Sequence, residues 1–437
     1  MSQNERLKKK AHEAIDAYAK EIEEFVRDIG KHAELGFFET RTASKTAEFM
    51  KRLGLPVEEG VALTGVEGLL DTGRDGPKLA VMGELDSVVC FDAEDADKST
   101  GAAHQCGHHV QLGFLLATAA GLVKSGVASD LVGKIVFMAV PAEEYIQIER
   151  RVKLKEEGKL HFLGGKAEMI RLGRFDDVDM SMMIHASSNR PGPFVDTAQT
   201  SNGFIGLTVR YVGKQSHAAA APELGVNALN AAVLGITAVN ALRDTFRDED
   251  HVRVHYIITK GGDLVNCVPD DVRLEAYVRA GTVLAMEQAL EKVLRAFRAG
   301  GDAVGAQTYI KLLPGMFPLS GNKEMYELFY ENSREFVAPE NFSNGGHMSG
   351  STDMGDITQI MPGIQPFTGG MSGALHSAEA RVEDYDAAVI IPAKAMASTI
   401  IDLLTADAAK AKEIIAGFRP NLTKEEYLKK QNGYFKY

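Results

Sequence analysis

Cysteine is scarce in this sequence, with only Cys90, Cys106 and Cys267 among 437 residues. An odd and sparse set of cysteines does not support a disulfide framework and is typical of proteins in a reducing compartment. We therefore expect a cytoplasmic protein in which each cysteine either fills space in the core or takes part in chemistry.

Positive charge and long apolar runs are also in short supply. The chain has 48 Lys and Arg against 60 Asp and Glu, a net charge of -12. Because phosphate binding needs a basic surface, we expect no nucleic-acid partner. No apolar run reaches the roughly 18 residues that a membrane-spanning helix needs. The charged N-terminus, MSQNERLKKKAHEAIDAY, lacks the apolar centre of a secretory signal. We therefore expect no membrane partner either.

The chain does have ordinary globular composition and a regular alternation of helix and strand. It is 45% hydrophobic and 25% charged, which is enough for a large core. Apolar periodicity predicts helices at residues 15–29, 43–53, 112–123 and 167–172, and strands at 78–83, 134–140 and 180–184. Continuous apolar strands between helices favour a parallel or mixed sheet that is covered on both faces.

A different pattern begins near residue 189. Strands at 204–212, 252–259, 272–278 and 308–313 alternate with helices at 226–246 and 284–299. Their order is strand-helix-strand-strand-helix-strand, a split βαβ layout. The sequence therefore predicts an α/β fold in which a catalytic domain, residues 1–188 and 316–437, is interrupted by a smaller α+β, ferredoxin-like domain, residues 189–315.

Side chains able to do chemistry follow the predicted strands or precede a helix. Five segments carry them: GELDSVV with Asp86, HQCGHHVQL with Cys106, His108 and His109, AVPAEEY with Glu143 and Glu144, MMIHASS with His185, and GALHSAE with His376. Sites in open α/β sheets form beyond the carboxyl ends of strands. Taken singly, each residue is more often structural, as a core histidine, a helix cap or surface charge. The purely structural interpretation becomes weaker when the residues are taken together, because one sheet would bring five possible metal ligands to the same place.

The donor types indicate a divalent metal site. Thiolate, imidazole and carboxylate together suit zinc and similar ions. Gly107 lets the chain bend tightly between Cys106 and His108. The neighbours Glu143 and Glu144 point in different directions at a strand end, so one can bind metal while the other takes a proton from a metal-activated water.

These segments resemble the motifs of one known family, the metal-dependent aminoacylases and carboxypeptidases. It includes hippurate, indole-acetyl-amino-acid and p-aminobenzoyl-glutamate hydrolases. HQCGH and PAEE are similar to its His-x-Cys-Gly-His and Pro-Ala-Glu-Glu signatures, and GKQSHAAAAPELGVNAL and NCVPDDVRLEAYVR resemble parts of its inserted domain. GSTDMGDITQIMPGIQ is similar to the p-aminobenzoyl-glutamate hydrolase and dipeptidase branch. The resemblance implies a zinc-peptidase-like catalytic domain, with a mixed sheet flanked by helices, and a lid or dimerisation domain.

The resemblance also implies a role for each site residue. Five match ligands of two divalent ions, manganese or zinc, with cobalt or nickel as alternatives: Cys106, His108, Glu144, His185 and His376. Glu143 matches the general base, and Asp86 matches a carboxylate that orients a ligand histidine. His217 matches a histidine that stabilises the oxyanion, which a partner subunit can supply in relatives. Asn266 and Arg279 match residues that hold the substrate carboxylate.

Three departures from the family pattern concern the substrate more than the reaction. His109 stands where the family has Asp or Asn; it can bind metal, contact substrate or pack, and we favour a substrate or supporting role. Gln111 stands where many members have histidine. A longer segment, residues 145–162, replaces the glycine-rich run that follows Pro-Ala-Glu-Glu and can reshape the pocket. Its charge-rich part, residues 150–159, predicts a solvated helix or loop.

The sequence thus predicts a homodimeric, metal-dependent amidohydrolase. Its substrate would be an N-acyl amino acid, a dipeptide or an aminobenzoyl-amino-acid-like molecule with a free carboxylate. Two alternatives stay open: a non-catalytic ligand-binding protein that retains the fold, and a hydrolase of a carbamoyl or ester bond. The helix at residues 226–246 has an apolar side that serves either a dimer interface or its own sheet.

Overall fold

The computed structural model describes residues 2–435, which form two compact units. The first unit contains residues 2–199, 320–347 and 356–421, and the second contains residues 200–319, 348–355 and 422–435. The sequence pattern places the inserted domain at residues 189–315. The second unit begins later than that, and it also takes in the C-terminal helix.

The helices are named here in chain order. Within the described residues they are α1 (Gln3–Gly30), α2 (Thr40–Leu53), α3 (His108–Lys124), α4 (Ile148–Glu156), α5 (Gly165–Arg171), α6 (Ala228–Ala241), α7 (Val283–Val304), α8 (Lys323–Ser333), α9 (Met354–Thr358), α10 (Ile391–Leu404), α11 (Ala409–Gly417) and α12 (Lys424–Tyr434).

The strands of the two larger sheets are named in the same way. They are β1 (Val57–Val61), β2 (Gly65–Asp71), β3 (Lys78–Glu84), β4 (Lys134–Val140), β5 (Met180–Met183), β6 (Gly203–Val212), β7 (Arg253–Lys260), β8 (Asp271–Ala280), β9 (Gln307–Met316) and β10 (Gly363–Ile364). Two-residue strands lie at Val88–Val89, Ala102–Ala103, His185–Ala186, Val195–Asp196, Thr200–Ser201, Phe342–Ser343, His347–Met348, Phe367–Thr368, Met371–Ser372 and Arg381–Val382.

The first unit is built on a six-stranded mixed sheet in the order β1-β2-β4-β3-β5-β10. The strands β1, β2 and β4 pair antiparallel, whereas β4, β3, β5 and β10 run parallel. The predicted mixed sheet flanked by helices is therefore confirmed. Its parallel half is the half that ends at the candidate site.

The helix α3 occupies the centre of the first unit. Every residue from His108 to Leu122 is buried, as expected for a helix that is apolar on all sides. The amphipathic helix α1 packs against it and buries one stripe, which includes Ile15, Ile22 and Ile29. The N-terminus of α3 is therefore held on all sides by packing.

The second unit is a four-stranded antiparallel sheet in the order β7-β8-β6-β9. The helices α6 and α7 pack on each other and on the sheet. The chain order β6, α6, β7, β8, α7, β9 is the split βαβ layout that the sequence predicts, so this part of the fold is confirmed.

One helical stretch, Asp386–Leu404, is long and apolar enough to cross a membrane by length and composition. The sequence pattern predicts no such helix. Since 83% of the stretch is buried, it has the character of a core helix of the first unit.

Candidate metal centre

Neighbouring parallel strands bring the candidate residues to one edge of the first unit. The strands β4, β3 and β5 lie side by side. They lead into the segments that carry Glu143 and Glu144, Asp86, and His185, in that order. Because parallel strands end at the same edge of a sheet, these segments meet there.

The N-terminus of α3 adds Cys106 and His108. Gly107 lies between them with φ 88°, and a Cβ atom there would come within 3.0 Å of both Ala186 Cβ and Met371 Sδ. Glycine suits this position because it has no Cβ and adopts left-handed backbone at little cost.

The five predicted metal ligands form one cluster. Cys106 Sγ lies 3.5 Å from His185 Nε2 and 3.2 Å from His376 Nε2. His376 Nε2 lies 3.1 Å from Glu144 Oε1. Two sets have all their donor atoms within 4.8 Å of one another: Cys106, His108 and His185, and Cys106, Glu144 and His376. Cys106 belongs to both sets, as a thiolate shared by two ions would.

Hydrogen bonds fix the tautomers of two of these imidazoles. His108 Nδ1–H donates to the carbonyl oxygen of Asp86 at 2.9 Å and to its Oδ1 at 3.1 Å. His185 Nδ1–H donates to the carbonyl oxygen of Ala186 at 2.8 Å. Because these oxygens only accept, Nδ1 carries a proton, and in the neutral imidazole that binds an ion Nε2 keeps its lone pair.

The buried ligand atoms of the cluster are of the kind that a bound cation would satisfy. Among the described residues, His108 Nε2 and Glu144 Oε1 are buried side-chain atoms that make no well-formed hydrogen bond, although Glu84 Oε2 and His376 Nε2 respectively lie 3.1 Å from them. Burial alone would lower the pKa of His108, but Cys106 and Glu84 outweigh it and raise that pKa well above its usual value. Burial, and then the charge of Glu144, raises the pKa of the Cys106 thiol. A divalent cation satisfies all of these groups, since coordination ionises a thiol and accepts imidazole and carboxylate lone pairs. The residues therefore fit a metal site.

Glu84 is a site residue that the sequence patterns did not single out. It is fully buried at the end of β3, where its Oε1 accepts from Lys166 Nζ at 2.6 Å and its Oε2 accepts from Gln111 Nε2 at 2.7 Å. Glu84 Oε2 also lies 3.1 Å from His108 Nε2. Burial opposes ionisation, but the Lys166 charge and the imidazoles lower the pKa of Glu84 to about 2. The signal that could have found it is a charged residue at the end of a buried strand, two positions before Asp86.

The turn that carries the two adjacent glutamates is held from both sides. Ala142 has a left-handed φ of 53°. Its N–H donates to Glu39 Oε1 at 2.8 Å, and the N–H of Glu144 donates to Asp86 Oδ2 at 2.9 Å. Asp86 therefore orients the His108 imidazole and also fixes the backbone beside Glu143.

His109 lies outside both ligand sets. Its ring centroid is 5.1 Å from that of His104, and a Cβ atom at Gly30 would come within 3.2 Å of His109 Cδ2. Burial, with a contribution from His108, lowers the pKa of His109 to about 3, so its imidazole is neutral. The contacts of His109 are those of a packed side chain, and its role toward a substrate stays a prediction.

His217 and Asn266 lie on adjacent exposed segments of the second unit. The backbone N–H groups of Ala219 and Ala220 donate to His217 Nδ1 at 3.2 and 3.1 Å. In the neutral imidazole the proton therefore lies on Nε2, which makes that atom a donor. The N–H of Ala218 donates to the carbonyl oxygen of Asn266 at 2.9 Å.

Arg279 lies on β8, in the sheet of the second unit. Its Nε–H donates to His255 Nε2 at 3.0 Å, and its Nη1 donates to Ser351 Oγ at 2.6 Å. The rings of Phe204 and Tyr277 lie 5.1 and 5.6 Å from its guanidinium carbon. These contacts fix the plane of the guanidinium group, and burial lowers the pKa of Arg279.

Comparison with known proteins adds a family match and related sequences. Residues 200–303 match the family described as the peptidase dimerisation domain. An Xaa-Arg dipeptidase from Mus musculus is 30% identical over 424 residues, covering 92% of this chain and 89% of that protein. An Xaa-Arg dipeptidase from Homo sapiens is 31% identical over 333 residues, covering 70% of this chain and 68% of that protein.

A solved structure shares the fold. It is a Bacillus subtilis protein described as a dinuclear metal-binding peptidase of the M20 family. Its TM-score is 0.68 at 19% identity, and the match covers 89% of this chain and 99% of that chain. At this identity the likeness shows the fold alone.

Proposed function

Because the chain belongs to the M20 family of metal-dependent aminoacylases and carboxypeptidases, we propose that it hydrolyses dipeptides whose C-terminal residue is basic. The resemblance carried by the sequence motifs is confirmed, and the chain is a metal-dependent amidohydrolase. The related Xaa-Arg dipeptidases from mouse and human support the proposed substrate. An N-acyl or aminobenzoyl amino acid is the next candidate, because it offers the same amide and the same free carboxylate.

We assign the two donor sets of the first unit to two divalent ions, manganese or zinc. One set is Cys106, His108 and His185, and the other is Cys106, Glu144 and His376. Bound ions of this kind polarise a carbonyl group and lower the pKa of water to about 7. The observation that carries the assignment is the convergence of one thiol, three imidazoles and one carboxylate on one cluster beside the ends of parallel strands, with Cys106, His108 and Glu144 buried and His376 open to solvent.

We assign the proton transfers to Glu143. Its side chain is 9% exposed, and its Oε2 lies 4.0 Å from His108 Nε2, so it borders the ligands. Its carboxylate takes the proton of the attacking water and then donates it to the amine that leaves. The clamped backbone on either side, at Ala142 and Glu144, keeps the carboxylate in place between these two transfers.

We assign substrate contacts to three residues of the second unit, as the family pattern implies. His217 can donate a hydrogen bond from Nε2 to a developing oxyanion, since its Nδ1 already accepts. Arg279 presents a fixed guanidinium plane, which suits bidentate pairing with a carboxylate. Asn266 supplies amide donors beside His217. The matched peptidase dimerisation domain supports a homodimer.

A matched substrate panel tests the proposal. Protein loaded with Mn²⁺ or Zn²⁺ is given Ala-Arg, Ala-Lys and Ala-Glu, with N-acetyl-arginine, p-aminobenzoyl-glutamate and N-carbamoyl-arginine beside them. Release of the free amino acid is measured. We expect the highest kcat/KM with Ala-Arg, then Ala-Lys, and a kcat about 10²- to 10⁴-fold lower in the Glu143→Gln variant. Preferential cleavage of the carbamoyl compound would move the assignment to that bond, and no release with any metal would overturn the proposal.

A further inference from the structure

The segment that departs from the family pattern, residues 145–162, carries one deeply buried charge. Part of it folds as α4, most of which is solvated as the charge-rich sequence predicts. Arg151 is the one charged residue of α4 that is buried, with 2% exposure, and the apolar Leu154 is the other buried residue of this helix. Its neighbour Arg150 is exposed and stacks on the ring of Phe38, so adjacent arginines of one helix have opposite surroundings.

The guanidinium of Arg151 donates to three main-chain carbonyl groups. Its Nη1 donates to Leu163 at 2.7 Å and to Ala142 at 3.3 Å, and its Nη2 donates to Glu144. The ring of Phe37 lies 5.4 Å from its central carbon. Leu163 directly follows the inserted segment, whereas Ala142 and Glu144 are the two residues that flank Glu143.

These contacts complete a clamp around Glu143. The N–H of Ala142 is bound by Glu39 and the N–H of Glu144 by Asp86. Arg151 donates to both carbonyl oxygens, which also accept from the N–H groups of Gly165 and Ile146, so each flanking residue has its donor and its acceptor bound to an ionisable side chain. The turn has a left-handed residue at Ala142, a conformation that persists only where the surroundings over-determine it.

We propose that Arg151 is a positioning residue that acts through the carbonyl oxygens of Ala142 and Glu144 to hold the Glu143 carboxylate at the reacting water. The inserted segment, which stands where the family has a glycine-rich run, would then support the turn that carries Glu143. A purely structural anchor for the insertion would need only the Leu163 contact. The kinetic part of the proposal rests on the proposed function, since it assumes that the chain hydrolyses an amide.

The test compares Arg151→Gln with its matched neighbour Arg150→Gln in full-length, metal-loaded protein. A misplacement of 1 Å at a catalytic group can cost about 100-fold in rate. We expect kcat of Arg151→Gln on Ala-Arg to fall roughly 10- to 100-fold. KM and metal content should stay as in the wild type. Arg150→Gln should match the wild type in all three, and Arg151→Lys, which keeps the charge on a single donor nitrogen, should recover part of kcat.

Amide hydrogen exchange provides a second readout that does not depend on activity. We expect the peptide that contains Ala142 and Glu144 to exchange faster in Arg151→Gln than in Arg150→Gln. If Arg151→Gln does not fold, the same measurements are made on Arg151→Lys, with a smaller loss of kcat and faster exchange expected.

Two results would overturn the proposal. One is wild-type kcat and wild-type exchange in the folded Arg151 variant. The other is a loss of kcat that excess metal or a lower temperature fully restores, since that would make Arg151 a general stabiliser. If the wild type hydrolyses no amide, the proposed function fails, and the exchange comparison still decides whether Arg151 holds the turn.

Discussion

Glu143 and Glu144 are neighbours in the chain, yet the fold gives their carboxylates different partners. Glu144 groups with Cys106 and His376, whereas Glu143 groups with Glu84 and His108. Neighbouring side chains at a strand end point apart, so one carboxylate can stay on an ion while the other exchanges protons. In the proposed function, a single strand end therefore supplies both a ligand and a base.

Replacement of Glu143 separates these two roles. In Glu143→Gln the amide keeps the size of the side chain but cannot take a proton at neutral pH. Proton transfer by a placed side chain contributes about 10²- to 10⁴-fold, so we expect kcat to fall by that order. Metal content, measured by elemental analysis, should stay at the wild-type level, whereas Glu144→Gln should lose metal. A fully active Glu143→Gln enzyme would assign the proton transfers to another residue.

The buried pair of Lys166 and Glu84 sets a second residue-scale prediction. Both side chains are inaccessible to solvent and lie 2.6 Å apart. Removal of one partner of a buried ion pair leaves an uncompensated charge, which costs about 3–5 kcal/mol. We expect Lys166→Met to lower the free energy of unfolding in urea by roughly that amount.

Two variants control for the loss of a lysine and for the pairing itself. Lys159→Met removes an exposed lysine and should leave the urea midpoint unchanged. The double variant Glu84→Gln with Lys166→Met should be more stable than Lys166→Met alone, because no buried charge remains unpaired. Equal stability of Lys166→Met and Lys159→Met would show that the buried pair is not what holds this part of the core.

At the scale of elements, apolar periodicity is enough to predict the main strands and helices. The strand at 134–140 coincides with β4, and the helix at 43–53 lies within α2. The strand β2 escapes prediction because its sequence, GVEGLLD, contains two glycines and no regular alternation. The two antiparallel strands at that edge of the sheet therefore appear only in the structure.

For the candidate site, local motifs also predict some residues, whereas others are recognised only from contacts that are distant in the chain. The motifs around Cys106, Glu144 and His185 are local, so their residue types suffice to propose ligands. The partners of Glu84 come from α3 and α5, and a lysine in a short helix gives no sign in the sequence that it is buried. Arg151 lies in a charge-rich stretch whose composition predicts exposure. Patterns in a single sequence do not reveal which charged residues pair when they are far apart in the chain.

The bend before α3 gives an element-scale prediction. A Cβ atom at position 107 would be 3.0 Å from Ala186 Cβ, and φ there is 88°. Gly107→Ala should therefore displace Cys106 and His108 relative to each other. We expect a large loss of bound metal and of kcat, measured by elemental analysis and by amino-acid release.

Gly417 provides the matched control for this substitution. It ends α11, and a Cβ atom there would meet nothing within 4 Å. Gly417→Ala should keep wild-type metal content and activity. Full metal content in Gly107→Ala would mean that the loop tolerates the added methyl group and that its shape does not depend on glycine.

At the scale of the whole molecule, metal removal should destabilise the first unit. The five proposed ligands come from four separated stretches of that unit, around residues 106–108, 144, 185 and 376. Bound ions would tie these stretches together, and an ion that binds only the folded state adds about 4 kcal/mol at 1,000 times its Kd. We expect chelation to lower Tm in calorimetry and added Mn²⁺ or Zn²⁺ to restore it. A Cys106→Ser variant whose Tm responds to metal as the wild type does would contradict the shared-thiolate assignment.

The surface of the second unit points to a place for self-association. The strand β7 lies at one edge of its sheet, and Ile257 and Ile258 on it are 61% and 44% exposed. On α6, Val233 and Leu234 are 49% and 42% exposed. An apolar edge strand left in water is a template for pairing, so native proteins cover or charge such edges. The matched dimerisation domain includes both elements, which supports their burial against a second copy of this chain.

Charge placed on this surface should separate the copies. We expect the double variant Ile257→Lys with Val233→Lys to sediment as a monomer at concentrations where the wild type is a dimer, because burying unpaired charges of the same sign opposes association. Leu284→Lys changes an equally exposed leucine, 65% exposed on α7, and should leave the dimer intact. The opposite result would contradict this placement. If the double variant stays a dimer and Leu284→Lys becomes a monomer, the interface includes α7, and the substituted edge strand faces solvent in the monomer and in the dimer.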